Sequence, residues 1–171
     1  RTTTAATAAC FAGQGLLAAQ GPLTCDTAYK RANTDWLAKC RFGIGIHWTA
    51  QTVPRNGQPK PFQKAVADFA LKDFMAAVEH AGADYVLFTS AHALQMLPAP
   101  HPLLDDILPG RTCERDLIRE LADALTERQK HLLVYYNHSC NGRQDPPWER
   151  AVGYHAASKE RFAANVTDII A

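Results

Sequence analysis

No C-x-x-C pair, no H-x-x-x-H or H-E-x-x-H pattern and no G-x-G-x-x-G run occurs in this chain. The first absence excludes a zinc ribbon and a dithiol redox motif. The second excludes the two-histidine helix of a zinc hydrolase. The third removes the glycine cradle of a dinucleotide site. Charge is also scarce: 20% of residues are Asp, Glu, Lys or Arg, the net charge is +1, and no basic run stands out. Nothing therefore points to nucleic acid or an anionic membrane surface, and no stretch is apolar and long enough for a membrane span. Apolar residues, at 47% of 171 positions, make a globular composition with enough chain for one real core.

The chain opens on Arg1 and carries no acid or further base as far as Ala19, in a stretch rich in Ala and Thr. That is the composition of the middle and cleavage regions of an export signal. Arg1 would be the last arginine of a twin-arginine signal, with cleavage near Ala19; a disordered Ala/Thr tail is the alternative. Residues 1–20 are read as an export-signal remnant and 21–33 as a linker, and the expected location is periplasmic or secreted. Cys10 as a lipid anchor lacks the usual leucine upstream. Among Cys25, Cys40, Cys113 and Cys140 a disulfide is open to an exported protein, and buried free thiols are the plainer alternative.

From residue 34 onward, apolar patterning alternates between strand and helix. A short helix over 34–39 precedes an apolar strand from Arg41 to Trp48, and 49–67, with Pro54, Gly57, Pro59 and Pro61, reads as loop. Leu71, Phe74, Met75 and Val78 recur at helical spacing within 67–80, and Gly82 is placed to end that helix. A strand over 84–90 follows, then a proline-rich loop. A helix over 113–128 buries Leu117, Ile118, Leu121 and Leu125, and a third strand covers 131–137. A loop with Gly142, Pro146 and Pro147 leads to a third helix over 155–170.

Alternation of this kind implies parallel strands with helical crossovers. Short helix-to-strand turns and long strand-to-helix loops favour a (β/α)8 TIM barrel over a doubly wound sheet, since a barrel builds its site from the loops after its strands. A whole barrel takes about 250 residues and eight units, so 34–171 is expected to be an incomplete barrel of about three βα units.

In such a barrel His47 and Trp48 end the first strand, His92 follows the second, and Tyr135, Tyr136, Asn137 and His138 close the third. Imidazole and phenol groups hydrogen-bond hydroxyls, and aromatic faces pack on the apolar face of a pyranose, so a common cup of these residues suits a sugar. The first strand lacks the paired histidines of metal-dependent barrel hydrolases, so neither a metal nor a cofactor is expected. His138 and Cys140 are close in sequence, which is no sign of a shared proton. Asp105, Asp106 and Asp145 read as turn or solvent residues, and the strand ends supply no carboxylate. The sequons at Asn137 and Asn165 read as chance.

The segment Asp35-Trp36-Leu37-Ala38-Lys39-Cys40-Arg41-Phe42-Gly43-Ile44-Gly45-Ile46-His47-Trp48 resembles glycoside hydrolase family 29, the α-L-fucosidases. In that family a short helix leads into a strand ending in histidine-tryptophan. Phe74 to Thr89, Arg115 to Leu121 and Val134-Tyr135-Tyr136-Asn137 are similar to later segments, so the likeness runs over about 34–171. The resemblance implies a retaining exoglycosidase acting through a covalent glycosyl-enzyme on terminal α-L-fucosyl or related bonds of oligosaccharides. It implies that His47, His92 and Tyr135 or Tyr136 hold the sugar. It also implies that the nucleophile and acid/base lie beyond Ala171, leaving this stretch alone inactive. The family's histidine-histidine-acid-glycine run corresponds to His92-Ala93-Leu94-Gln95, which keeps only the first imidazole. Losing one such bond to a substrate hydroxyl costs about 1.5–3 kcal/mol. A non-catalytic carbohydrate-binding barrel with altered sugar preference is the alternative.

Overall fold

The computed structural model describes residues 33–138 and 144–154. The expected export signal and linker, the helix over 155–170, Cys10, Cys25, Cys140 and the Asn165 sequon lie outside the described residues. The described elements belong to one compact unit that starts at Asp35.

A 3-10 helix, Asp35–Lys39, leads into β1 (Gly43–Ile46), α1 (Phe62–Ala67), α2 (Leu71–Ala81), β2 (Tyr85–Ala91), α3 (Pro102–Ile107), α4 (Leu117–Thr126), β3 (His131–Tyr136) and α5 (Pro146–Ala151). The strands form one parallel sheet in the order β1-β2-β3. The chain is therefore an α/β fold with a parallel sheet. Among the described residues no helix is long and apolar enough to cross a membrane.

Three short helices occupy stretches expected to be loops. α1 lies inside 49–67, α3 in the proline-rich loop, and α5 begins at Pro146. Each spans less than two turns, too little for an apolar period to emerge. Two of them carry a start signal nonetheless. His101 before Pro102 accepts the Leu104 N–H at 3.2 Å, and Asp145 before Pro146 accepts the Trp148 N–H at 3.4 Å. A capping side chain followed by proline satisfies an orphan donor and presets the first helical φ. α2 ends where Gly82 takes a left-handed φ of 69°.

The described α-helices pack on one side of the sheet. Register sets Ile44, Val86 and Leu132 side by side, and Ile46 beside Phe88. These side chains meet Val66, Met75, Val78, Leu117, Leu121 and Leu125 in the main core. Strand side chains alternate between faces, so Gly45, Leu87 and Leu133 share the other face, where Leu87 is exposed. Arg115 ties the helical layer together. It pairs with Glu120 at 2.6 Å and donates to the carbonyls of Val66, Ala67 and Phe69 near the end of α1. Its guanidinium hydrogen-bonds the Glu120 carboxylate and holds that carboxyl below its usual range. Cys40 and Cys113 are free thiols, and burial pushes Cys113 up to about 11, which keeps it protonated and unreactive.

At the N-terminal edge of the sheet, Trp36 stacks on His131, with ring centroids 4.0 Å apart, and meets the edge of Tyr85 at 5.8 Å. Tyr85 in turn lies over Gly43, where an added Cβ would run into its ring; nothing lies within 4 Å of a Cβ at Gly45. The two strand glycines thus differ in kind: one admits an aromatic ring, the other faces open space. Gly43→Ala is expected to lower the unfolding free energy by about 1–3 kcal/mol through overpacking, and Gly45→Ala to change it by less than about 0.5 kcal/mol. Urea midpoints of the two variants check this, and equal shifts would contradict it.

Candidate functional site

The C-terminal ends of the three strands carry the polar side chains. Thr89 pairs with Tyr135 across β2 and β3, and the Thr89 hydroxyl lies 3.5 Å from His47 Nδ1. The His47 and His92 rings meet edge to face at 4.8 Å, and the Tyr135 ring lies 6.4 Å from His92. Together with Gly45, Ile46, Leu87 and Thr89 they line a cavity of about 350 Å³ on the face away from the helices. Three side chains far apart in sequence therefore meet at one end of one face.

His92 reaches this face through an irregularity. Thr89 pairs with Tyr135, but the next pair is Ala91 with Tyr136, so β2 carries one extra residue there. Strict alternation from Thr89 would send Ser90 to the helical side, Ala91 to the open side and His92 to the helical side. The bulge inserts one step and returns His92 to the open side, beside His47. Ser90 stays on the helical side and donates to the Tyr135 carbonyl at 3.2 Å. Nothing in the residue types of 89–92 announces this extra step.

Trp48 and Tyr136 do not join the cavity, which corrects the expectation that they share a sugar pocket with the other three. Trp48 packs with Phe62, Phe69 and Phe88 at centroid distances of 5.8, 5.4 and 6.1 Å, on the helical side. It follows His47 directly, and neighbours in extended chain point to opposite faces. The same rule separates the two tyrosines. Tyr136 packs against Leu104, Trp148 and Val152, so Tyr135 is the phenol at the cavity. Ala93 is buried and does not line the cavity.

A buried polar cluster lies beside the strand ends. Arg111 clamps Asp145 with two bonds of 2.8 and 3.0 Å, and Asp145 is 1% exposed. Gln95 donates its backbone N–H to Asp145 at 2.8 Å, gives its carbonyl to Arg111 at 3.2 Å, and donates its side-chain amide to the Asn137 carbonyl at 2.7 Å. The expectation that Asp145 is a turn or solvent residue is corrected: it is a buried ion-pair partner and helix cap in one. Asp105, expected in a loop, lies in α3 and accepts from Thr112. The Asp145-Pro146 step was a visible cap signal; the pairing with Arg111 has no local sequence signature. Among the described residues no carboxylate lines the His47 cavity and no group of three or more His, Cys, Asp or Glu is placed to hold a metal.

Compared with known protein families, curated proteins and solved structures, the chain has no match.

The turn after β2 is under backbone strain. Ala93 has φ 59° between His92 and Leu94, which form an isolated antiparallel bridge. A non-glycine residue there pays about 1–2 kcal/mol for the left-handed conformation. Ala93→Gly removes that cost but adds about 0.5–1 kcal/mol of unfolded-chain entropy, so stability should rise slightly or stay level. Ala93→Val should lose about 2 kcal/mol or more, because a β-branched residue fits this region worst. Denaturation midpoints of both variants decide it; a well-tolerated valine would refute the strained turn.

Proposed function

We propose that this chain forms the sugar-holding part of a glycoside hydrolase resembling the α-L-fucosidases, built on the first βα units of a (β/α)8 barrel. The observation that carries the reading is the convergence of His47, His92 and Tyr135 on one cavity at the C-terminal ends of adjacent parallel strands. In barrel enzymes that end of the strands is where ligands bind. Sequential strand order, α-helices on one side and a cavity at the strand ends of the opposite face all support a barrel wall. A cavity of about 350 Å³ lies within the size range of small-ligand sites.

The proposed role of these residues is recognition. Two imidazoles and a phenol supply directional bonds to ring hydroxyls, and Leu87 supplies an apolar floor for a C–H face or a methyl group. Retaining hydrolysis needs two carboxylates across the scissile bond, and none of the described lining residues is one. In this reading they come from elsewhere in the whole enzyme, and no residue of this chain is assigned a catalytic role. The substrate is a terminal α-L-fucosyl or related glycoside of an oligosaccharide, and the protein works in the periplasm or outside the cell.

A second reading, a non-catalytic carbohydrate-binding barrel with a different sugar preference, is favoured by one observation. Ala93 and Leu94 stand where the family has a second histidine and an acid, and Ala93 is buried away from the cavity.

Methyl α-L-fucoside titrated into the labelled protein should perturb the His47, His92 and Tyr135 resonances, with a Kd near 1 mM, about −4 kcal/mol. His47→Ala, His92→Ala and Tyr135→Phe should each weaken binding about tenfold, while Tyr136→Phe should leave it unchanged. An absence of perturbation at all three residues would overturn the sugar reading. Release of nitrophenol from an aryl α-L-fucoside by the whole protein separates the two readings: turnover supports the hydrolase, and binding without turnover supports the binding protein.

A further inference from the structure

We infer that Asn137 is a positioning residue for the Tyr135 hydroxyl, held in place by Gln95 and, through Gln95, by the buried Arg111–Asp145 pair. The inference rests on the reading of the His47 cavity as a ligand site; the hydrogen-bond chain itself does not. Asn137 Nδ2 donates to the Tyr135 hydroxyl at 3.2 Å. A phenol oxygen that accepts one bond turns its own proton away from that donor. Tyr135, which lines the cavity, therefore offers its O–H as a donor to a ligand oxygen.

Both backbone groups of Asn137 are hydrogen-bonded. Its N–H donates to the Ala91 carbonyl at 3.0 Å, and its carbonyl accepts from Gln95 Nε2 at 2.7 Å. Gln95 is anchored in turn, since both of its backbone groups bond to the Arg111–Asp145 pair. The chain of bonds thus runs from a buried ion pair, through the loop after β2, to the end of β3 and the phenol at the cavity.

The other half of the Gln95 amide argues that the first half matters. Gln95 is 2% exposed, and its Oε1 is buried with no hydrogen-bond partner among the described residues. An unsatisfied buried oxygen is a standing cost. Turning the amide over would set that oxygen against the Asn137 carbonyl, so the orientation is fixed. A methionine would fill the same space with no orphan oxygen. What the amide adds over a methionine is the bond to Asn137.

Two measurements test this. The first needs no ligand. In protein labelled with 13C-tyrosine, the Tyr135 ring resonance is assigned by its loss in Tyr135→Phe. Asn137→Ala and Gln95→Met should both shift it, whereas Arg119→Ala, on the exposed side of α4, should not. An unmoved Tyr135 resonance in Asn137→Ala overturns the inference whether or not sugar binds. The second is a double-mutant cycle on methyl α-L-fucoside binding. Asn137→Ala should weaken binding about three- to tenfold in the wild-type background and not at all in Tyr135→Phe. Equal losses in both backgrounds would mean that Asn137 does not act through Tyr135, and would overturn the inference. If the wild-type protein binds no fucoside, the sugar reading fails by itself, and the resonance measurement still decides whether Asn137 orients the phenol.

Discussion

The rest of the structure depends on the register that β2 imposes on its two neighbours. β2 pairs in parallel with both β1 and β3, so every side chain on the outer strands takes its face from a partner on β2. One face is filled by α-helices, which fixes Ile44, Ile46, Val86, Phe88 and Leu132 inward and turns the alternate set to the opposite face. Sliding any strand by one residue would exchange the two sets, burying glycine and histidine and exposing the core. The single departure from this register, the extra residue after Thr89, brings His92 to the face that carries His47 and Tyr135.

Apolar burial explains the layer, but polar bonds fix the rim. The loops after β2 and β3 are joined by Arg111, Asp145, Gln95 and Asn137, and almost every polar group in that cluster is matched. A buried ion pair adds little net stability over a well-packed apolar one, yet removing one partner costs about 3–5 kcal/mol because a buried charge is left alone. The pair therefore ties the two loops together across the rim. At the opposite end, Trp36, Tyr85 and His131 form an aromatic floor that depends on the missing side chain of Gly43. The cavity thus has packed rings at one end of its sheet and locked loops at the other.

The three strands, α2 and α4 were legible because each is long or apolar enough to show its period: Leu117, Leu121 and Leu125 repeat at helical spacing and are all fully buried. α1, α3 and α5 were not, since six residues carry no readable period, though His101-Pro102 and Asp145-Pro146 marked two of their starts. At the site, the residue types and strand ends were readable, Asn137 among them, while the contacts of Gln95, Asn137 and Arg111 were not, because they are made with partners on other segments.

The sequence by itself determined the alternation of elements, the parallel sheet that alternation requires, and the presence of imidazole and phenol groups at strand ends. Only the tertiary structure decided that Tyr135 rather than Tyr136 faces the cavity, that Trp48 turns into the core, and that His92 swings back beside His47. The physical reason is that periodicity is a local property of one segment. The face a residue takes at a strand's end is set by hydrogen bonds to a neighbouring strand, and a single extra residue there reverses it.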